Sequence, residues 1–421
     1  MAGTIVMLPE SLPLAFPLVE YVFGKNGVGA VDLLILSKQR EAFRAIIENF
    51  SFREVHILDE EYYGGVTSRQ AVAFMCEKAA APYERAYFPF NTFRANAFLF
   101  GSIIAREAVA VNSSLFKVRE AIPEVAFSLD TAVAAESIVP WAQEITTVRE
   151  TLACVVRRLM DAGQGLEVSG ERPNLGILEG FGHDLEIFMK YAYGIGAARG
   201  KKVLDIGGGL GYGSLLISKF AKEVVFLDRS ADTADFVRRT WSPLAPNLTV
   251  LSGEAAELKE NQGCFDVIFL MDVIEHVTDP RRLLFEVREL LGPGGTLVLS
   301  TPEEDYYPYR VCPSHRRDED GDALLKEGIW PWHIQSLGER SMLTMLEGAG
   351  FTVKEKSYTT YKKGYELQKR IDYAKQAQDL SALSEAAREI TRWDITDFGV
   401  TLRRDPCFSA ASYNVVARKE G

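Results

Sequence analysis

Residues 202–213 read KVLDIGGGLGYG, an apolar run from Val203 to Ile206 that passes into Gly207, Gly208, Gly209, Gly211 and Gly213. A turn so rich in glycine lets the backbone bend sharply and lets a ligand lie against it, which a Cβ would prevent. The order Asp205-x-Gly207-x-Gly209-x-Gly211 differs from the GxGxxG spacing that seats a pyrophosphate. A carboxylate at this strand end repels a pyrophosphate and suits a ligand's ammonium group. The next strand-like run, EVVFLD, ends at Asp228, one βαβ step on. An acid there can grip a ribose diol with its two oxygens. Farther along, Asp272-Val273-Ile274-Glu275-His276 gathers two acids and an imidazole, and His333 follows Trp330-Pro331-Trp332. Such groups can take a proton from a hydroxyl or hold a divalent ion.

The glycine motif and its surroundings resemble the class I S-adenosylmethionine-dependent methyltransferases. LTVLSG (248–253) precedes Glu254, and FDVIFLMD (265–272) leads into VIEHVTDPRRLLFEVRELLGPGGTLVLSTP. HIQSLGERSMLTMLEGAGF (333–351) carries a His-x-x-Ser and a Gly-Phe ending, and SYNVVARK (412–419) fits a closing antiparallel strand. Within the class, the likeness is to the subgroup of ubiquinone-biosynthesis O-methyltransferases and methyltransferases of glycan and antibiotic clusters, over residues 171–421. It implies a Rossmann-like seven-stranded sheet and S-adenosylmethionine (SAM) as cofactor. It further implies that Asp205, Gly207, Gly209 and Gly211 hold the methionine end. Asp228 would take the ribose, Glu254 with Ala255 the adenine, and Asp272 the rim near the sulfonium, with Gly208 and Arg229 among the cofactor contacts. The stretch GERPNLGILEGFGHDLEIFMKYAYGIGAARGK resembles the lead-in of sugar-cluster methyltransferases, with Gly182-His183-Asp184 replacing the usual Glu-His.

Methyl transfer to oxygen is an in-line displacement, and an alcohol must shed its proton as it attacks, so a base within reach helps. The D-x-x-E-H from Asp272 to His276 resembles the E-x-x-E-H that binds a divalent ion in ubiquinone O-methyltransferases and small-RNA 2′-O-methyltransferases. A later His joins that site; here His333 is the candidate and His315 the second. In metal-free relatives the same Glu and His cap the next helix, and His276 or His333 is then the base. The catalytic candidates are therefore His276, His333, Asp272 and Glu275, with a divalent ion as the alternative to a bare base. Tyr306, Tyr307 and Tyr309 of EDYYPY could stack on an acceptor or pack a loop. Arg316 and Arg317 could meet a nucleotide-sugar phosphate or face solvent. The acceptor is expected to be a hydroxyl of a sugar, nucleotide-sugar or glycan. The alternatives are a phenolic, quinone-like or other natural-product acceptor (O-, N- or C-), and a SAM-binding scaffold without turnover.

Two strand–helix alternations must position these groups. In the first 130 residues, strands are expected at 4–8, 31–36, 54–59, 85–90 and 108–113, with helices over 40–50, 69–80 and 95–107. That alternation predicts a parallel sheet covered on both faces, an N-terminal Rossmann-like α/β lobe. It carries no phosphate loop, although Asp59-Glu60-Glu61 and Asn91 with Arg94 follow strand ends. It reads as an auxiliary lobe for assembly or acceptor recognition, with a reduced glycosyltransferase-like half as the alternative. Residues 131–170 read as a helical connector and 171–421 as the methyltransferase domain, with amphipathic helices inserted at 361–393. The net charge of −11 over 421 residues makes a phosphate backbone a poor partner and argues against nucleic acid. No apolar run approaches the roughly 20 residues of a membrane span, no basic leader precedes the first apolar stretch, and Cys76, Cys154, Cys264, Cys312 and Cys407 lie far apart. A cytoplasmic protein with reduced thiols, acting on a small molecule or glycan and able to form a homo-oligomer, is expected.

Overall fold

The computed structural model describes residues 3–8, 12–58, 69–89, 100–101, 103–111, 124–127, 145–161, 187–188, 190–302, 310–312, 323–324, 327, 329–330, 332–335, 337–360, 401–403 and 410–420. The first half builds β1 (Thr4–Met7), α1 (Leu12–Asn26), β2 (Val31–Leu36), α2 (Arg44–Asn49), β3 (Val55–Leu58), α3 (Arg69–Ala80), β4 (Tyr83–Pro89), β5 (Ala105–Val111) and β6 (Glu124–Phe127). The strands form one sheet in the order β3-β2-β1-β4-β5-β6, parallel except for β6. Strand β2, VDLLIL, is buried at every position, as a strand with helices on both faces must be. Its one charge, Asp32, is tolerated there because Arg53 clasps both carboxylate oxygens at 2.7 and 2.6 Å and Tyr83 donates its hydroxyl at 2.9 Å.

In this half one element was not expected and one expected element is shorter. Helix α1, between β1 and β2, is not among the elements expected from the sequence, and it contains Pro13 and Pro17. Pro13 falls in the first turn of α1, where an N–H has no intrahelical partner, so its loss there is tolerated. The helix expected over 95–107 ends sooner, and β5 starts at Ala105, opposite Tyr83 of β4. Arg149 donates to the carbonyls of Ala105 and Arg106 and so ties that strand start from another element. Local helix propensity gives way here to pairing and to a buried guanidinium.

The second half contains α4 (Ile145–Asp161), β7 (Lys202–Ile206), α5 (Tyr212–Ser218), β8 (Glu223–Asp228), α6 (Ala231–Thr240), β9 (Leu248–Ser252), β10 (Phe265–Met271), α7 (Pro280–Leu290) and β11 (Leu291–Pro302). A small pair, β12 (Arg310–Val311) with β13 (Ile329–Trp330), comes next. The chain then adds α8 (Glu339–Gly348), β14 (Phe351–Thr360), β15 (Thr401–Arg403) and β16 (Ala410–Lys419). The sheet runs β15-β14-β16-β11-β10-β7-β8-β9, with β16 antiparallel to both neighbours. The seven expected strands are present, and β15 adds an eighth beside β14. Helix starts follow local chemistry. Ser230 caps α6 by accepting the Thr233 N–H, and Asp279 caps α7 by accepting that of Arg282, with Pro280 just inside.

The strand order changes direction at β7, which has β8 on one side and β10 on the other. In open α/β sheets the crevice outside the carboxyl ends of two such strands is where ligands bind. Both Asp205 and Asp272 stand at those ends. Helix α4, placed by the sequence reading in a connector, packs into a continuous core. One apolar cluster runs from Ile5, Met7 and Leu34 through Val148, Leu152 and Val156 of α4 to Val203, Leu215 and Trp241. Asp59, Glu60, Glu61, Asn91, Arg94, His183, Tyr306, Tyr307, Tyr309, His315, Arg316, Arg317 and the 361–393 insert lie outside the described residues. Among the described residues, no helix is long and apolar enough to cross a membrane.

Candidate active site

The glycines after β7 divide into two kinds. A Cβ on Gly208 would come within 2.6 Å of Asp205 Oδ2 and 2.7 Å of the Phe226 ring. One on Gly211 would meet Val237 at 2.7 Å and Trp241 at 3.0 Å, and one on Gly213 would run into the Tyr191 ring. These glycines let the protein pack against itself. Gly209 is different: its φ is +55° and a Cβ there would meet nothing within 4 Å among the described residues. Among the described residues, its backbone is the stretch of the loop left open to a ligand. Behind the loop, the fully buried Trp241 donates its indole N–H to the Leu210 carbonyl at 2.6 Å.

Asp205 turns inward. Tyr191 donates its hydroxyl to Oδ1 at 2.8 Å and Ser214 to Oδ2 at 2.5 Å. Burial pushes its carboxyl up to about 6; these two hydrogen bonds pull it down, and the charge of Asp228 raises it further. The sequence reading gave Asp205 a direct contact with the ligand. Its side chain is 1% exposed and accepts a hydrogen bond on each oxygen, which ties Tyr191 to Ser214 in the helix after the glycine loop. Asp228, at the end of β8, is also buried and accepts the Ser230 N–H at 2.9 Å, while Arg229 beside it is exposed. Glu254 is exposed at the start of the short turn Ala255–Glu257, and Ala255 is buried beneath it.

Asp272 closes the other side of the crevice. Its φ of +50° makes it the one non-glycine described residue in the left-handed region, a conformation that aspartate tolerates at a modest strain. Its N–H donates to the Ser300 carbonyl at 3.1 Å, and the Ser300 hydroxyl donates to Oδ1 at 2.8 Å. Lys190 Nζ donates to Oδ2 at 2.7 Å, and also to the Ser412 hydroxyl at 3.0 Å. The next residue, Val273, sits over Gly207, where an added Cβ would lie 2.6 Å from its Cγ2.

A short turn, Ile274–His276, then presents the histidine cluster. Glu275 is buried; Thr301 donates to Oε2 at 3.1 Å, and Oε1 has no hydrogen-bond partner. Burial, and then the charge of Asp272, push its carboxyl up to about 8, while His333 and Lys190 pull it back. Its carboxyl therefore gives up its proton less readily than an ordinary one, and a cation beside it would ease that loss. His276 Nδ1 lies 3.1 Å from the Trp332 carbonyl. A carbonyl only accepts, so this nitrogen carries the hydrogen and the neutral ring keeps its lone pair on Nε2. That atom is 3.9 Å from Glu275 Oε1, and the His276 and His333 rings meet edge to face with centroids 4.9 Å apart.

Donor atoms of Glu275, His276 and His333 all lie within 4.8 Å of one another, and the orphaned Oε1 is the kind of buried atom a cation satisfies. These three fit a divalent ion, which would lower the pKa of a hydroxyl bound to it. Asp272, expected to join them, is committed to Lys190 instead. Glu275, His276 and His333, grouped by sequence reasoning, have donor atoms close together here, while Asp272 stands at the crevice paired with Lys190. Sequence reasoning missed Lys190, Tyr191, Ser214 and Ser300. A signal for Lys190 was present, since a lone charge within IFMKYAY is out of place in an apolar helical run.

A family described as a methyltransferase domain matches residues 187–356. The chain is 30% identical over 193 residues to a Mycolicibacterium smegmatis protein named "Probable S-adenosylmethionine-dependent methyltransferase", covering 45% of this chain and 67% of that one. It is 30% identical over 151 residues to a protein of the same name in Mycobacterium tuberculosis, 36% of this chain and 48% of that one. A ubiquinone biosynthesis O-methyltransferase of Coxiella burnetii is 31% identical over 111 residues, 26% of this chain and 47% of that one. The chain thus spans two thirds of the first of these relatives and about half the length of the other two. A crystal structure from Mesorhizobium loti covers 53% of this chain and 93% of its own at 21% identity and a TM-score of 0.33, an overlap too loose for inference.

Proposed function

The chain belongs to the S-adenosylmethionine-dependent methyltransferases, with SAM as methyl donor, and on that premise we propose that it methylates a hydroxyl of a sugar, nucleotide-sugar or glycan. The observation that carries the hydroxyl is the meeting of Glu275, His276 and His333 at the crevice between β7 and β10. Gly209 offers open backbone to the methionine end, Asp228 a carboxylate to the ribose, and Ala255 with Glu254 a wall for the adenine. His276 takes the acceptor's proton on Nε2 as oxygen attacks the methyl carbon, its ring held by the Trp332 carbonyl. Glu275, His276 and His333 are also the residues that would hold a divalent ion. The sugar is favoured by the lead-in ahead of β7, and the net charge of −11 argues against RNA. A phenolic acceptor is the second reading, favoured by the likeness to the Coxiella burnetii enzyme. Residues 1–130 serve as an auxiliary lobe and 171–421 as the methyltransferase domain, joined by 131–170, whose helix α4 contributes to a core shared by both.

The test has two stages. Calorimetric titration with SAM gives binding near one site per chain; absence of binding removes the enzyme reading. Transfer of labelled methyl to a panel of nucleotide-sugars, oligosaccharides and catechols then names the acceptor. Labelling of catechols alone would replace the sugar by the phenolic reading.

A further inference from the structure

Adjacent residues Lys190 and Tyr191 reach the two acids that flank the crevice. Lys190 binds Asp272 at the end of β10 at 2.7 Å, and Tyr191 binds Asp205 on β7 at 2.8 Å. We propose that this pair is a positioning clamp for SAM, an inference that rests on the methyltransferase reading above.

Lys190 is 1% exposed, and so buried an ammonium persists only where its partners are fixed. Its two partners lie on different strands, Asp272 after β10 and Ser412 on β16, so one side chain ties both to the helical residues 190–193. Asp272 is the strained residue of the site, and the ammonium is one of the groups that hold it in the left-handed region. The residues just past Asp272 inherit that geometry. Val273 lies on Gly207, the first glycine of the loop, and Glu275 and His276 stand on the turn just beyond. Tyr191 acts on the same loop from behind. Its ring stacks on Phe269 with centroids 5.8 Å apart, and it occupies the space that Gly213 leaves by lacking a Cβ. Its hydroxyl fixes Asp205, which shares Ser214 with the first turn of α5. The clamp therefore sets the spacing between the open backbone at Gly209 and the corner at Asp272. Neither Lys190 nor Tyr191 needs to touch the ligand.

Titration calorimetry of the full chain with SAM tests this, because it returns affinity and stoichiometry separately. A residue with only a structural role lowers the fraction of competent protein and leaves the Kd of the rest unchanged. Lys190→Met is expected to raise the Kd at least ten-fold at near-unit stoichiometry, and Lys190→Arg, which keeps Asp272 paired, to return within three-fold of wild type. Tyr191→Phe, which removes one hydroxyl and retains the ring, is expected to raise the Kd several-fold. It serves as the second variant should Lys190→Met not fold. A Kd within two-fold of wild type in both Lys190→Met and Tyr191→Phe overturns the clamp, as does a Tyr191→Phe unchanged in Kd where Lys190→Met does not fold. Failure of the wild-type chain to bind SAM would instead remove the methyltransferase reading on which the clamp rests.

Discussion

Gly209→Ala separates the ligand-facing glycine from those that serve packing. At φ +55° an alanine is strained by about 1–2 kcal/mol, the usual penalty for a Cβ in the left-handed region. No described neighbour lies within 4 Å of the new methyl, so nothing further adds to that strain. The melting temperature should fall by only roughly 1–2 °C for a single cooperative fold of 421 residues. The methyl projects into the space assigned to SAM, and affinity should drop by roughly 100-fold or more, equivalent to about 2.7 kcal/mol. Gly211→Ala is the contrast. It carries the same class of strain at φ +74°, and its Cβ would press on Val237 at 2.7 Å and Trp241 at 3.0 Å. Overpacking of that kind adds about 1–3 kcal/mol, so this variant should lose more stability than Gly209→Ala. Calorimetric SAM titration with parallel thermal melts reads both. A Gly209→Ala protein that is folded and binds SAM within two-fold of wild type would refute the assignment of that space to the cofactor.

Other outcomes rest on the same geometry. The Asp205 carboxyl is raised from 3.8 to about 6, so its contribution to stability is present below pH 3.8 and lost as pH rises through 6. At about 1.4 kcal/mol per unit the loss is about 3 kcal/mol, and Asp205→Asn should flatten the stability profile between those pH values in denaturant titrations. A profile of unchanged slope would contradict the burial argument. His276→Ala and His333→Ala are each expected to lower kcat, with His276→Ala costing about 10²–10⁴-fold, the range for a lost general base. Exhaustive chelation is expected to leave turnover intact; activity abolished by chelator and restored by a divalent ion would assign Glu275, His276 and His333 to a metal. Leu152→Ala, in the middle of α4, should cost about 2–5 kcal/mol and still give one thermal transition, because that core is common to both sheets. Two separated transitions would mean that the sheets unfold independently.

The sequence disclosed what is local and periodic. β2, α3 and β8 were found at their true bounds because their apolar pattern and their packing demand agree. The glycine loop was legible because its residue types are dictated by backbone shape. The start of β5 was not, since Ala105 is drawn into a strand by Tyr83 and Arg149, partners 22 and 44 positions away. In the candidate site, Glu275 and His276 were visible as neighbours in sequence, and His333 through resemblance. The commitment of Asp272 to Lys190, 82 positions apart, could be seen only once the helical residues 190–193 were docked. The surroundings of Asp205 were hidden for the same reason, because spacing shows where a carboxylate stands but not which hydroxyls surround it.

Helix α4 bears on where this protein can be cut. Val148, Leu152 and Val156 belong to the cluster that includes Leu215, behind the glycine loop, and Trp241. A fragment starting at the glycine-rich half would leave that apolar wall facing water and prone to self-association. The smallest unit able to stand alone therefore begins ahead of Ile145, and a fragment carrying only the first sheet would be left with a bare face of its own. The part of the chain without recognisable chemistry is in this sense upholstery for the part that has it.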